Sequence, residues 1–234
     1  MPRGKMIGTN VALVGSEELS GSDDCHVYAI RYAPEKICLI DAGVRSSSKI
    51  IQNITDTFKG ACEITHLILT HAHIDHIGAA HEFLARYPHL QIAAHQWDQG
   101  PIEGKSGTEK FTAASWYGIT YTPVKLNIQF SKDEEELRLG PIKLKIYHTP
   151  GHTPGSISVL YTNPTTGKIL FGQDVHGPFM REFNSNIQDW QASMKKLISL
   201  EPDFLCEGHF GVISGKDQVK NFIKSYLQQH QHLG

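Results

Sequence analysis

The run Thr70–His76 places three histidines and one aspartate within six consecutive positions. In an extended segment His71 and His73 point to the same side, because side chains alternate with a period of two. Asp75 and His76 then fall at the start of a predicted helix, where the chain turns. Neutral imidazole and carboxylate groups suit zinc, and also iron or manganese. The spacing therefore predicts a site that can reach two adjacent metal positions.

Three further residues of ligand type stand beside or near glycines, each just after a predicted strand. They are His152 after strand 143–147, Asp174 after strand 168–170, and His209 after strand 203–206. A single histidine after a strand is usually structural. Three such residues in one chain, together with the Thr70–His76 run, strengthen the prediction of a metal site.

The elements that must position these residues follow from apolar patterns and turn signals. Strands are predicted at 11–14, 25–31, 37–40, 64–70, 90–94, 124–130, 136–139, 143–148, 157–161, 168–172 and 203–207. Helices are predicted at about 50–58 (with N-caps at 46–48), 77–87, 109–117 and 187–200, and near the C-terminus. The order of strands followed by helices occurs twice, which favours sheets packed together and covered outside by helices.

Composition excludes several classes of protein. The chain has 234 residues, 40% hydrophobic residues, a formal net charge of −2 and 14 histidines. No apolar stretch approaches the length of a membrane span, and no signal peptide is visible at the start. Four cysteines without a Cys-x-x-Cys pair fit a reducing compartment. We expect a cytoplasmic protein with a small-molecule substrate and no nucleic-acid or membrane partner; the oligomeric state stays open.

These motifs resemble the metallo-β-lactamase-fold hydrolase superfamily across nearly the whole chain. The resemblance rests on the His-x-His-x-Asp-His signature at 71–76, the Gly-His-Thr-x-Gly element at 151–155, Asp174 at a strand end, the late Gly-His at 208–209, and the early Asp-x-Gly at 41–43. One departure is Gln173, because the family's glycine lies one residue earlier here, at Gly172. The resemblance implies an α/β fold, a four-layer αββα sandwich, formed by residues 1–234 as a single domain.

The resemblance also implies a ligand set for two divalent metal ions, with Zn²⁺ favoured and iron or manganese as alternatives. The first ion would be held by His71, His73 and His152, the second by Asp75, His76 and His209, and Asp174 would bridge them. Two such ions lower the pKa of a bridging water and so supply hydroxide at neutral pH. Asp75 is the predicted catalytic residue, which holds the water and passes a proton. Asp41 is predicted to orient ligand histidines.

The predicted reaction is hydrolysis of an ester-type bond such as a thioester or lactone. The ligand set resembles that of glyoxalase II and lactonases, although no basic cluster for the glutathione carboxylates is evident. Residues 96–122, with Trp97, Trp116, Tyr117 and Tyr121, are predicted to line a pocket mouth. His176 is a candidate proton donor to the leaving group.

Four alternatives stay open from the sequence. They are a nucleic-acid phosphodiesterase, a persulfide dioxygenase-like oxidoreductase with one iron, a β-lactamase, and a metal-stabilised binding module without catalysis. The slightly acidic charge disfavours the first, and the complete ligand set disfavours the second and the fourth. Asp174 disfavours a dedicated β-lactamase, because classical members commonly use a cysteine in the second metal site.

Overall fold

The computed structural model describes residues 4–45 and 47–232 and contains two mixed β-sheets flanked by helices. The strands, in chain order, are β1 Lys5–Met6, β2 Val11–Gly15, β3 Val27–Ala33, β4 Lys36–Ile40, β5 Glu63–Ile68, β6 Gln91–His95, β7 Ile128–Phe130, β8 Glu134–Leu139, β9 Ile142–His148, β10 Ile157–Asn163, β11 Gly167–Gln173, β12 Phe204–Glu207 and β13 Gly211–Ser214. The α-helices are α1 Ser47–Phe58, α2 Ile74–Ile77, α3 Ala80–Arg86, α4 Gln99–Ile102, α5 Ile187–Ser199 and α6 Lys216–Gln229. Short 3-10 turns lie at Gln96–Asp98, Glu109–Thr112, Ala114–Tyr117 and Arg181–Phe183.

Apolar side chains divide the molecule into four layers. One sheet has the order β1 to β7 and the other the order β13-β12-β11-β10-β9-β8. The inner faces of the two sheets share a core that includes Ile30, Ile40, Ile146 and Phe171. Separate cores lie between the first sheet and the helices α1 and α3, and between the second sheet and the helices α5 and α6. The predicted αββα sandwich is therefore confirmed.

Strand direction gathers several loops at one edge of each sheet. Strands β4, β5 and β6 are parallel, so their carboxyl ends lie side by side. In the second sheet β9 and β11 both run antiparallel to β10, and β12 is parallel to β11. The strands β9, β11 and β12 therefore also end at a common edge, and side chains that follow these ends can meet.

Two predicted helices are broken by local packing. The helix expected at 77–87 is replaced by α2 and α3, because the Ala79 amide donates to the Gly43 carbonyl oxygen at 3.0 Å instead of continuing the helix. The helix expected at 109–117 is two 3-10 turns, separated by Ala113 in the left-handed region at φ 57°. Helix α1 begins at Ser47, and Ser46, one of its predicted caps, lies outside the described residues.

The strand predicted at 124–130 is shorter than expected, because only Ile128–Phe130 joins the sheet. The preceding residues bond to another loop instead: the Val124 amide donates to Ile102 O, and the Leu126 amide donates to Glu103 Oε1. Strands β1 and β13 were not predicted, since each is short and at a sheet edge. Among the described residues, no helix has both the length and the apolar content needed to cross a bilayer.

Candidate metal centre

Seven side chains converge where the two sheet edges meet. They are His71 and His73 from the loop after β5, Asp75 and His76 from α2, His152 from the loop after β9, Asp174 directly after β11, and His209 after β12. All except His209 are buried. Two groups of four have their potential ligand atoms within 4.8 Å of one another, and Asp174 belongs to both groups. These are the seven residues that the sequence singled out.

In the first group three imidazole nitrogens face one another. His73 Nδ1 lies 3.1 Å from His71 Nε2 and 2.9 Å from His152 Nε2. The Oδ2 atom of Asp174 completes the group at 3.4 Å from His152 Nε2 and 3.9 Å from His71 Nε2. The first group thus consists of three imidazoles and one carboxylate around a common centre.

The second group contains two carboxylates and two imidazoles. Asp75 Oδ2 lies 3.2 Å from His209 Nε2 and 3.4 Å from His76 Nε2. Asp174 Oδ1 lies 3.2 Å from His76 Nε2, and Asp174 Oδ2 lies 3.4 Å from His209 Nε2. The Asp174 carboxylate therefore stands between the two groups and presents oxygen to both.

Asp41 orients one histidine of each group through its hydrogen bonds. Its Oδ2 atom accepts from His76 Nδ1 at 2.9 Å and from the Thr70 hydroxyl at 2.8 Å. Since that hydroxyl donates to Asp41, it can accept from His71 Nδ1, which lies 3.1 Å away. Both imidazoles therefore carry a proton on Nδ1 and turn Nε2 towards the ligand groups. Asp41 itself is buried and has a left-handed backbone with φ 64°.

The loop that carries His152 is held against α5. The ring Nδ1 atom of His152 lies 2.9 Å from the Pro178 carbonyl oxygen and donates to it, so that its Nε2 lone pair also faces the first group. Gly151 has φ 133°, and an added β-carbon would lie 2.3 Å from the Trp190 backbone nitrogen. Only glycine combines this backbone conformation with so close an approach to the helix.

Charge and burial set the protonation of both groups. Burial lowers the pKa of His71, His73 and His152, with His73 at about 3, and neighbouring histidines lower these pKa values further. Burial alone would raise the pKa of both Asp75 and Asp174, but the nearby imidazoles outweigh it and hold both carboxyl pKa values below the ordinary range. The first group therefore offers neutral imidazoles, and the second offers two ionised carboxylates.

The negative charge of the second group also acts on His209. Burial would lower its pKa, but the carboxylates of Asp174 and Asp75 raise that pKa to about 10. Carboxylates that stabilise the protonated form of His209 so strongly would also stabilise a bound cation. His209 is also the exposed member of the seven, with 33% of its side chain accessible, so the second group opens to solvent.

A cleft of about 710 Å³ adjoins the first group. Ala72 and Thr153, neighbours of the candidate ligands, lie in its wall together with Trp97 and Phe183. The Phe183 ring lies 4.7 Å from the His73 ring and 4.9 Å from the ring of Trp116, which is more than half exposed. Part of the 96–122 segment thus borders a cleft beside the loops that carry His73 and His152.

The two remaining candidate residues lie close to the centre but outside the ligand groups. Burial raises the pKa of Tyr117, and the charge of Asp75 raises it further. The ring of His176 lies 5.3 Å from that of His209, and its Nδ1 atom is 2.9 Å from Glu207 Oε1.

Two buried carboxylates at this edge were missed by sequence reasoning. Asp98 follows β6 and bonds to the loops that carry His73 and His152, and Glu207 ends β12 and bonds to the amide of His209. A signal was available, since both stand at carboxyl ends of strands that neighbour the strands of the candidate ligands.

Comparison with known proteins connects this geometry to a family. A sequence model of the metallo-beta-lactamase superfamily matches residues 21–209. "Probable metallo-hydrolase YybB" of Bacillus subtilis is 28% identical over 168 residues, which cover 68% of this chain and 71% of that protein. "Probable hydroxyacylglutathione hydrolase glo2" of Schizosaccharomyces pombe is 23% identical over 184 residues, covering 78% of this chain and 62% of that protein.

Solved structures share the fold. A HARLDQ motif mutant of a metallo-beta-lactamase from Cronobacter sakazakii superposes with a TM-score of 0.79 over 98% of this chain and 96% of that chain, at 19% identity. The structure of BJP-1, a subclass B3 metallo-beta-lactamase of Bradyrhizobium japonicum, gives a TM-score of 0.78 over 99% of this chain and 93% of that chain, at 20% identity. At such identities the likeness concerns the fold alone.

Proposed function

The chain belongs to the metallo-beta-lactamase superfamily, and we propose that it is a dinuclear metal-dependent hydrolase that cleaves an ester-type bond, such as a thioester or a lactone. The observation that carries the proposal is the Asp174 carboxylate, which presents oxygen to two separate groups of buried ligand atoms. A centre for one ion would need only one of these groups.

The donor atoms fit metal ions in spacing and in chemistry. Donors about 2.0–2.2 Å from a tetrahedral ion are about 3.3–3.6 Å apart. The neighbouring ligand atoms described above are 2.9 to 3.9 Å apart, and all ligand atoms of a group lie within 4.8 Å of one another. His76 Nε2 and Asp174 Oδ1 are buried and 3.2 Å apart, but neither makes a hydrogen bond of good geometry with the other or with any other described residue. Buried polar atoms without partners are costly, and a bound cation would satisfy both.

We assign His71, His73 and His152 to one ion and Asp75, His76 and His209 to the other, with Asp174 shared. Zn²⁺ is the proposed ion, and iron or manganese would suit the same imidazole and carboxylate donors. Bound there, two such ions would supply hydroxide at neutral pH and stabilise negative charge that develops on the substrate.

Asp75 is the proposed proton carrier. Its carboxylate is buried and held ionised, and its Oδ2 atom lies within 3.4 Å of the His76 and His209 imidazoles. There it can accept a hydrogen bond from the attacking water and later pass a proton to the leaving oxygen or sulfur. The phenol of Tyr117, whose pKa burial and then the charge of Asp75 raise, is a candidate donor to the substrate.

The cleft beside His73 is the proposed substrate site. Its aromatic wall of Trp97 and Phe183 suits an apolar acyl or lactone body, and Lys105 contributes a positive charge at the rim. A relative named as a hydroxyacylglutathione hydrolase supports the thioester option, because the bond between an acyl group and glutathione is a thioester. The solved β-lactamases share only the fold, so they add no support for β-lactam cleavage.

The test combines metal analysis with a panel of thioester, lactone, β-lactam and phosphodiester substrates. We expect two ions per chain and turnover of the ester-type substrates. His73→Ala should abolish this turnover and reduce the metal content by one ion per chain while leaving the fold intact. The control His89→Ala, at an exposed histidine, should change neither the turnover nor the metal content. Fewer than two ions at saturation, with cleavage of phosphodiesters only, would refute the proposal.

Three further predictions accompany this function. All four cysteines lie among the described residues and are free, three of them buried, which supports the proposed cytoplasmic location because reducing compartments keep thiols unpaired. We also propose that residues 1–234 act as a single domain and that the substrate is a small molecule rather than a nucleic acid.

A further inference from the structure

Asp98 is a buried carboxylate whose hydrogen bonds go to none of the seven candidate ligands and yet join two of their loops. Its Oδ2 atom accepts from the Ala72 amide at 2.9 Å, between His71 and His73. The same oxygen accepts from the Thr153 hydroxyl at 2.7 Å, next to His152, and Oδ1 accepts from the Gly155 amide at 2.8 Å. One side chain thus fixes the distance between the two loops that supply the first group.

The backbone of the second loop is shaped to receive this carboxylate. A β-carbon added at Gly155 would lie 2.5 Å from the Asp98 carboxyl carbon, so the loop reaches this position only with glycine. Asp98 is 2% exposed. Burial raises its pKa to about 6, although the bonds from Thr153, Gly155 and Ala72 act against that rise. The three donors therefore stabilise the ionised form.

Glu207 has the corresponding position in the second group. It is fully buried, and its Oε2 atom accepts from the backbone amides of His209 and Phe210 at 2.7 and 2.9 Å. Its Oε1 atom lies 2.9 Å from His176 Nδ1. Glu207 therefore fixes the turn that carries His209 and couples it to the segment after Asp174.

We propose that Asp98 and Glu207 are positioning residues that act on separate metal sites, Asp98 on the His71–His73–His152 site and Glu207 on the Asp75–His76–His209 site. The inference rests on the metal centre of the proposed function and not on the ester substrate. Each oxygen of both carboxylates accepts from at least one backbone amide, a group that can only donate. An amide isostere must therefore turn its NH2 group towards a donor, which breaks one bond without changing the side chain's volume.

The experiment compares Asp98→Asn with Glu207→Gln, so that each variant is the control for the other. Metal-free protein is titrated with Co²⁺ against a chelator, and proton NMR follows the shifted ring N–H signals of the bound histidines. The His152 signal reports the first site and the His76 signal the second, because both ring N–H groups are buried and hydrogen-bonded.

We expect Asp98→Asn to weaken the first site about 10–100-fold and the second less than about threefold, and Glu207→Gln to do the reverse. In Asp98→Asn at limiting Co²⁺ the His152 signal should disappear while the His76 signal persists. Wild-type affinity at both sites in both variants would overturn the inference. Equal weakening of both sites by each variant would also overturn it, because general destabilisation of the protein would have that effect. Wild-type protein that binds two ions but hydrolyses no ester would refute the proposed substrate and leave this inference intact.

Discussion

Replacing Asp41 by asparagine tests how the fold prepares its histidines for metal. Asparagine tolerates the left-handed backbone at φ 64°, so the substitution changes the hydrogen bonds and the charge without adding backbone strain. If the amide oxygen accepts from the Thr70 amide, as Oδ1 does now, the NH2 group faces His76 Nδ1. It would donate to that nitrogen and move the imidazole proton to Nε2, where no lone pair then remains for a metal.

The size of the effect follows from these contacts. Loss of a carboxylate that orients a ligand histidine costs about 10–100-fold in metal affinity, or about 1.4–2.7 kcal/mol. If the amide turns the other way, its NH2 group meets the Thr70 amide, and leaving those buried donors unpaired costs about 1–3 kcal/mol of folding stability. Either orientation of the amide has a measurable cost. When the amide oxygen faces the Thr70 amide, the cost falls on metal affinity alone.

Zinc affinity is measured by competition with a chromophoric chelator, and the stability of the metal-free protein by urea unfolding. The control is Asp203→Asn, because the Asp203 carboxylate also accepts a backbone amide, from Lys168, but at the opposite end of β11 from Asp174. We expect weakened zinc binding for Asp41→Asn alone. Unchanged zinc affinity and unchanged stability in Asp41→Asn would refute the tautomer argument.

Two other predictions concern packing and pH. Gly151→Ala should lower the free energy of unfolding by about 2–4 kcal/mol, because the added β-carbon would collide with Trp190. Gly107 has φ 83° and nothing within 4 Å of an added β-carbon, so Gly107→Ala should lower it by only about 1 kcal/mol. Equal losses for the two variants in urea unfolding would contradict this prediction. Burial and the stacked ring of His148 lower the pKa of His95 from 6.5 to about 4, with Glu135 and Asp133 acting in the opposite direction. The unfolded chain therefore binds more protons between those two pH values, and stability falls as the pH drops through that window. His95→Phe should remove up to about 3 kcal/mol of this acid-induced loss in metal-free protein, and identical pH profiles for the two proteins would show the argument to be wrong.

Several features of the fold could be predicted from local patterns. The strands before His71, His152, Asp174 and His209 are short apolar runs that end in glycine or polar residues, and these runs gave correct strand positions within a few residues. Predictions were weaker where packing decides. The helix predicted at 77–87 begins only at Ala80, because the Ala79 amide bonds to the Gly43 carbonyl oxygen, and no pattern within the helix itself indicates that contact.

The identity and spacing of seven candidate ligands were determined by sequence, because imidazoles and carboxylates at the ends of strands have few other uses in such number. Only tertiary structure decided how they are held. The hydrogen bonds that connect Asp41 to His71 through Thr70 link residues that are 29 or 30 positions apart in the chain. Asp98 bonds to residues that lie 26 positions before it and 55 positions after it. Such bonds depend on which strand ends are neighbours, and strand order is a property of the folded sheets rather than of any local run of residues.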